Sequence, residues 1–398
     1  MRIWVLGWWA VLALVALVAP VAAGAGPVGQ PPDLVEAVEA ALPARAESTG
    51  GEVTVRREDP SGWAFGTAVR RAPAAPDRHP DGWLWVARSG PGGWRVALEG
   101  EPEFRELAGQ APVLSAGERA ALAELTGRPA EAEAAAPEAA DYRTGMRLPY
   151  AVGQAWRLTG GPHPMSGSTR SSIDLAGGDG RVRAARAGTA YTMCGSGTGW
   201  LRVVHDRGFA SDYYHLAGGI AADGRPIAAG DLLGRIGTDV SCGGSATGPH
   251  VHFSLRRGGD YVDIDRYGFG KWSIRAGAQP YQGFARHGST RVGVGGALHN
   301  YGALRLTEGV VDTDGGGTLN LRAGPGTGHR VVGTVADGAT VRIECSARGT
   351  SHSGRDGYRS DLWNRLSERA GEVGGGGWAS DAYLWTGTGD PVSGWCGG

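Results

Sequence analysis

Apolar and polar positions change their rhythm several times along this chain. An apolar run from Ile3 to Val18 follows Arg2 and leads to Pro20 and the small residues Val21 to Ala25. That is the plan of a secretory signal peptide with cleavage near Ala23 or Ala25, since the run is short of the roughly 20 residues of a membrane span. Asp33 to Ala46 has the pattern of a short helix. Gly82 to Ala87 and Gly93 to Leu98 read as short strands bounded by glycine. Ser115, with Glu118 three residues on, forms a capping box that opens a helix over Arg119 to Leu125. Arg128 to Ala140 is an Ala/Glu/Pro stretch without strand periodicity and reads as an exposed linker open to proteases.

From Tyr142 the texture becomes short apolar strands between glycine-rich turns. Trp200–His205, Ser211–Leu216 and Pro249–Leu255 are examples, and alternation in the last puts His250 and His252 on one face. A glycine-rich joint, Gly288 to Gly296, leads to a third block of short alternating strands at regular spacing, the pattern of a small barrel. The expected segments are 1–25 (signal), 26–140 (leader and linker), 141–288 and 289–398. No repeat of fixed period is present.

At 398 residues the chain is too long for one ordinary domain. Its 71 glycines follow no collagen period and belong to turns of a loop-rich β protein. The formal net charge of −1 argues against a general nucleic-acid binder. Charge is unevenly shared: residues 27–140 hold 11 basic and 18 acidic side chains, residues 142–290 hold 17 and 10. An acidic leader ahead of a basic domain suits a propeptide docked on its enzyme, and the basic domain suits an anionic partner. Cys194, Cys242, Cys345 and Cys396 are even in number, which after export suggests two disulfides. Three pairings are possible, of which sequence neighbours, Cys194–Cys242 and Cys345–Cys396, are favoured. No C-x-x-C spacing points to cysteine ligation of a metal.

His163 in Gly160-Gly-Pro-His, Asp174 in Ser171-Ser-Ile-Asp, His215 in Tyr213-Tyr-His-Leu, and His250 and His252 in Gly-Pro-His-Val-His-Phe occur in that order. A catalytic zinc site takes three protein ligands and leaves a position for water, which two histidines and one carboxylate provide. In that order these motifs resemble the lysostaphin-type zinc endopeptidases (family M23), within them the β-lytic and staphylolytic branch. The first histidine and the aspartate are 11 residues apart, longer than the compact H-x-x-x-D of most of that family and in keeping with the β-lytic form. The resemblance implies that His163, Asp174 and His252 hold one Zn2+ per chain and that His215 and His250 act on water and the transition state. It places Cys194 and Cys242 where that branch carries a disulfide, and gives His205 a structural position. Gly82 to Leu98 resembles the propeptides of that branch.

In the third block, Leu319-Asn-Leu-Arg-Ala-Gly-Pro-Gly326 resembles bacterial SH3-like domains, which often bind cell-wall peptides. Trp363, Trp378 and Tyr383 there are expected in the core rather than on a ligand platform. The fold implied is mainly β: an antiparallel lysostaphin-type peptidase domain, an α+β propeptide and a small SH3-like barrel. The function implied is a secreted, extracellular, monomeric peptidase acting on bacterial peptidoglycan, with its own propeptide as a partner and no membrane association after signal cleavage. The competing readings are a metal-free relative that regulates another wall enzyme and an adhesin carried by the third block.

Overall fold

The computed structural model describes residues 33–44, 48–125, 140–195, 197–367 and 376–397. The expected signal peptide and most of the expected linker lie outside these residues. Among the described residues no helix is long and apolar enough to cross a membrane.

The N-terminal part begins with the helix Leu34–Ala41, whose first turn is closed by Asp33 accepting from the Glu36 N–H at 2.8 Å. An antiparallel sheet follows in chain order: Gly51–Glu58, Trp63–Arg70, Asp81–Gly90 and Gly93–Leu98. The strand Trp63–Arg70 is apolar on both faces because both faces are covered. Ala64, Ala68, Trp83 and Trp85 pack with Leu34 and Val38 of the helix. Phe65, Leu84 and Val86 pack the other way, with Phe104 and Leu107 and with Tyr191, Trp200 and Tyr214 of the central sheet. The leader and the central part therefore share a core. The capping box is present on the helix Ala116–Leu122, with Glu118 reaching back to the Ser115 N–H at 2.9 Å.

The central part is a nine-stranded sheet. Its order is Asp223–Ile227, Gly188–Thr192, Leu201–Val204, Phe209–Tyr214, Val251–Arg257, Ser172–Ala176, Ala155–His163 and Ala297–His299, with Asp260–Tyr261 pairing beside Val251–Arg257. Every pair in it is antiparallel. Three pairings fix the site. His252 lies opposite Tyr214 on one side and opposite Asp174 on the other, and Asp174 lies opposite Gly160. The disulfides are Cys194–Cys242 and Cys345–Cys396, the sequence-neighbour pairing.

The stretch Gly288 to Gly296 differs from the expected joint. Gly283–His287 and Thr290–Gly293 form a hairpin, with His287 opposite Thr290, so a boundary at 288/289 falls inside it. Ala297–His299 then completes the edge of the central sheet against Ala155–His163. Glycine in a β hairpin reads like glycine in a linker when only composition is considered. Beyond it, a seven-stranded sheet closes over Val311, Leu321, Val341, Ile343, Leu366 and Leu384. Arg286 pins this last part to the centre, donating to Asp312 at 2.6 Å and also to Asp314 and Asp356.

Candidate metal centre

The strand Ala155–His163 is irregular at its end, with register breaks between Leu158 and Gly160 and between Gly160 and His163. Gly160 is required there: a Cβ on it would stand 2.4 Å from Asp174 Oδ2. Gly161 is confined in the same way by the Gln282 carbonyl, 2.6 Å from where its Cβ would be. The Gly-Gly before Pro162 and His163 thus leaves room for the aspartate and turns the histidine inward.

His163 Nε2, Asp174 Oδ1 and His252 Nδ1 converge. The separations are 3.1 Å between the two nitrogens, 3.4 Å from His163 to Asp174 and 3.2 Å from His252 to Asp174. Ligand atoms about 2.0–2.1 Å from one tetrahedral ion lie about 3.3 Å apart. Both histidines are fully buried. Asp174 Oδ1 is buried without a well-directed hydrogen-bond donor. A carboxylate oxygen placed this way among imidazole nitrogens fits a cation, and the N2O set suits zinc.

Two further rings face this centre. His250 Nε2 lies 3.5 Å from Asp174 Oδ1. His215 follows the strand Phe209–Tyr214 in a left-handed conformation, φ 68°, which a non-glycine residue holds only when its surroundings impose it. Its ring centroid is 4.8 Å from that of His250. Nδ1 of His163, His215 and His250 each donates to a backbone carbonyl, of Gly161 at 2.7 Å, Asp239 at 2.8 Å and Gly248 at 2.8 Å. This fixes the tautomer and leaves each Nε2 with a lone pair, the arrangement that metal ligands and general bases need. Burial pushes His215 and His252 down to about 3, so both rings are neutral. Burial opposes ionisation of Asp174, but the His163 and His252 rings beside it hold its carboxyl well below the usual range.

The structure thus brings together His163, Asp174, His215, His250 and His252. It sets His205 apart, buried in the core with Nδ1 against the Ala187 carbonyl and Nε2 against the Ser211 hydroxyl, both at 2.8 Å. Tyr213 also belongs to the core: its hydroxyl accepts from the Ala185 N–H at 2.8 Å.

Sequence reasoning missed two residues. Tyr281 stacks on His163 with centroids 4.0 Å apart. His79, from the leader, enters the centre itself: its ring lies 4.3 Å from that of His252, and ligand nitrogens of His79, His163 and His252 lie within 4.8 Å of one another. Nothing in the local sequence Arg78-His-Pro80 carries a metal spacing, so only the fold could have found it.

In the C-terminal sheet, Trp363 is buried and donates its indole N–H to the Thr350 carbonyl at 2.9 Å. Trp378 and Tyr383 are half-buried, and Tyr383 packs beside the core. A groove of about 380 Å³ lies there, lined by Asn320, Arg322, His352, Trp363 and Tyr383 among others.

Residues 168–264 match Peptidase family M23, and residues 317–384 match the bacterial SH3 domain. The chain is 33% identical over 153 residues to protease LasA of Pseudomonas aeruginosa, covering 35% of this chain and 36% of that protein. It therefore spans about a third of the length of that curated relative. It is 27% identical over 149 residues to the beta-lytic metalloendopeptidase of Lysobacter enzymogenes, covering 34% of this chain and 82% of that one. The solved structure of pseudoalterin, an M23 metalloprotease from the deep sea, is 29% identical and covers 39% of this chain and 97% of that chain, with a TM-score of 0.36.

Proposed function

We propose, on the premise that residues 168–264 are a peptidase family M23 domain and residues 317–384 a bacterial SH3 domain, that this chain is the precursor of a secreted zinc endopeptidase that cuts peptides of bacterial peptidoglycan. The observation that carries the reading is the convergence of His163, Asp174 and His252 with two more imidazoles, those of His215 and His250, turned toward the same centre.

His163 Nε2, Asp174 Oδ1 and His252 Nδ1 would hold the ion. When bound, zinc supplies a Lewis acid that polarises the scissile carbonyl and lowers the pKa of water toward 7. His215 and His250 divide the proton work. One Nε2 takes the proton from the attacking water and returns it to the leaving amine, while the other, which also carries a lone pair, accepts a hydrogen bond from that water and holds it in line for attack. Each ring is held by its Nδ1–H···O=C bond, so its lone pair needs no reorientation during the reaction.

The substrate reading rests on the resemblance to wall-lytic enzymes and on charge. The central part carries 17 basic against 10 acidic residues, which suits an anionic wall. Glycyl bonds of stem or cross-bridge peptides are the preferred target. The SH3 domain would hold the enzyme on an insoluble substrate and raise its effective concentration there. The apolar run at residues 3–18 and two disulfides support export.

The test is zinc analysis of the mature protein beside a peptidoglycan digest. His252→Ala is expected to lose the metal. His215→Ala is expected to keep it while turnover falls about 10²- to 10⁴-fold. A mature protein that binds no zinc and releases no peptides would overturn the reading.

A further inference from the structure

The leader does more than cover one face of the central sheet. Its segment between the strands Trp63–Arg70 and Asp81–Gly90 crosses the mouth of the metal centre and is fastened at both ends. At the near end, Arg71 donates to the Ser241 carbonyl at 2.8 Å, and Ala72 bridges in parallel to Gly243. At the far end, Asp81 accepts from the Ser166 hydroxyl at 2.8 Å, in the loop that follows His163. The receiving surface is cut for this backbone. A Cβ on Gly243 would stand 2.2 Å from the Ala72 carbonyl, and one on Gly244 2.3 Å from the Arg78 carbonyl. Both glycines follow Cys242, whose disulfide to Cys194 anchors the loop.

The fastened segment carries His79 into the centre. Its ring centroid lies 4.3 Å from that of His252, 5.9 Å from His215 and 6.0 Å from His163. Its Nε2 lies 3.5 Å from the Tyr281 hydroxyl. Its Nδ1 is buried with no hydrogen-bond partner. A buried imidazole nitrogen without a partner is costly unless something absent from the protein atoms occupies it. Among the described residues the cation-binding group beside it is the set formed by His163, Asp174 and His252, and the ligand nitrogens of His79, His163 and His252 lie within 4.8 Å of one another.

We propose that His79 is an additional metal ligand supplied by the leader, occupying the position that a water molecule must take for hydrolysis, so that the uncleaved chain is held inactive by its own histidine. The proposal rests on the zinc peptidase reading above. Three histidines and one carboxylate complete a tetrahedral set, which is the closed arrangement of a structural site rather than the open one of a catalytic site. Loss of the leader removes one imidazole and opens the site to water. The leader's hold elsewhere is strong: Glu99, fully buried, pairs with Arg202 and Arg256 of the central sheet, and Glu52 accepts from the Gly195 N–H at 2.6 Å. A scissile linker, not spontaneous opening, is the expected trigger.

The experiment uses the full chain loaded with zinc. X-ray absorption at the zinc edge counts the imidazole ligands, and hydrolysis of a soluble glycyl peptide is measured in parallel. The wild-type chain is expected to show three imidazoles at one zinc per chain. His79→Ala is expected to show two, to keep one zinc, and to hydrolyse the peptide at least about tenfold faster than the wild-type precursor. The wild-type count stands without any variant, so a poorly folded His79→Ala leaves the question answerable. Two imidazoles in the wild type, or a His79→Ala chain that loses an imidazole but gains no activity, overturns this proposal and leaves the peptidase reading standing. A chain that binds no zinc overturns both.

Discussion

Three of the five histidines around the centre use one device, an Nδ1–H bond to a main-chain carbonyl that leaves Nε2 free. His205 shows what the same residue does when both nitrogens are engaged, and it gives a clean prediction. Burial pushes its pKa down to about 4, against 6.5 for the ordinary group. The folded state therefore binds fewer protons than the unfolded chain between these values. Its contribution to stability is whole above pH 6.5 and is lost as the pH falls toward 4, by about 3 kcal/mol at most. His205→Gln keeps a donor for Ala187 but does not titrate. Unfolding measured at pH 7 and pH 4.5 is expected to show a smaller loss in the variant than in the wild type; equal losses would contradict the assignment. The site histidines were legible in the sequence because their motifs kept order and company. His205 was separable from them only by its resemblance to a structural position. His79 was not legible, because its role depends on a fold that brings residue 79 beside residue 252.

At the scale of elements, the motif around His163 acquires a physical reason. Gly160 sits opposite Asp174 across the strand pair, and any side chain there would press on the carboxylate. Gly160→Ala is expected to displace Asp174 and weaken zinc binding about 10- to 100-fold, the range for loss of a supporting contact. Competition against a chelator measures it. Unchanged affinity would mean that the carboxylate does not hold the ion. Alternation also explained the H-x-H pair correctly, since His250 and His252 both reach Asp174 Oδ1 although the strand itself begins only at Val251. Strands such as Gly82–Ala87 and Gly93–Leu98 were legible because glycine bounds an apolar run. The hairpin at 283–293 was not, because its residues are exposed on one side and glycine-rich, and periodicity needs a buried face to impose it.

At the scale of the whole molecule, the hairpin and edge strand decide where the chain can be divided. Leu298 is fully buried, and its carbonyl accepts the Tyr150 hydroxyl at 2.6 Å. The Asn300 amide donates to the carbonyls of Leu148 at 3.1 Å and Tyr150 at 2.6 Å, and the His299 carbonyl accepts the Trp272 indole N–H at 2.8 Å. A chain ended at residue 290 loses all of these. Burial of one leucine contributes about 1.5–3 kcal/mol, and each buried polar group left without a partner costs about 1–3 kcal/mol. Together they exceed about 5 kcal/mol, which lowers the melting temperature by roughly 10 °C or more. A chain ended at residue 303 keeps every one of these contacts. It gives up the bonds from Arg286 to Asp312, Asp314 and Asp356 and those from Tyr142, Arg143, Lys271, His287 and Ser289 to the last part, but these groups then face water, which replaces protein partners at little net cost. The chain ended at 303 is therefore expected to melt within a few degrees of the full protein and, after leader removal, to cut a soluble glycyl peptide at an undiminished rate. Its binding to whole peptidoglycan should fall, because the tethered module is gone. Equal melting temperatures for the two truncations would mean that the edge strand Ala297–His299 does not belong to the central sheet in solution.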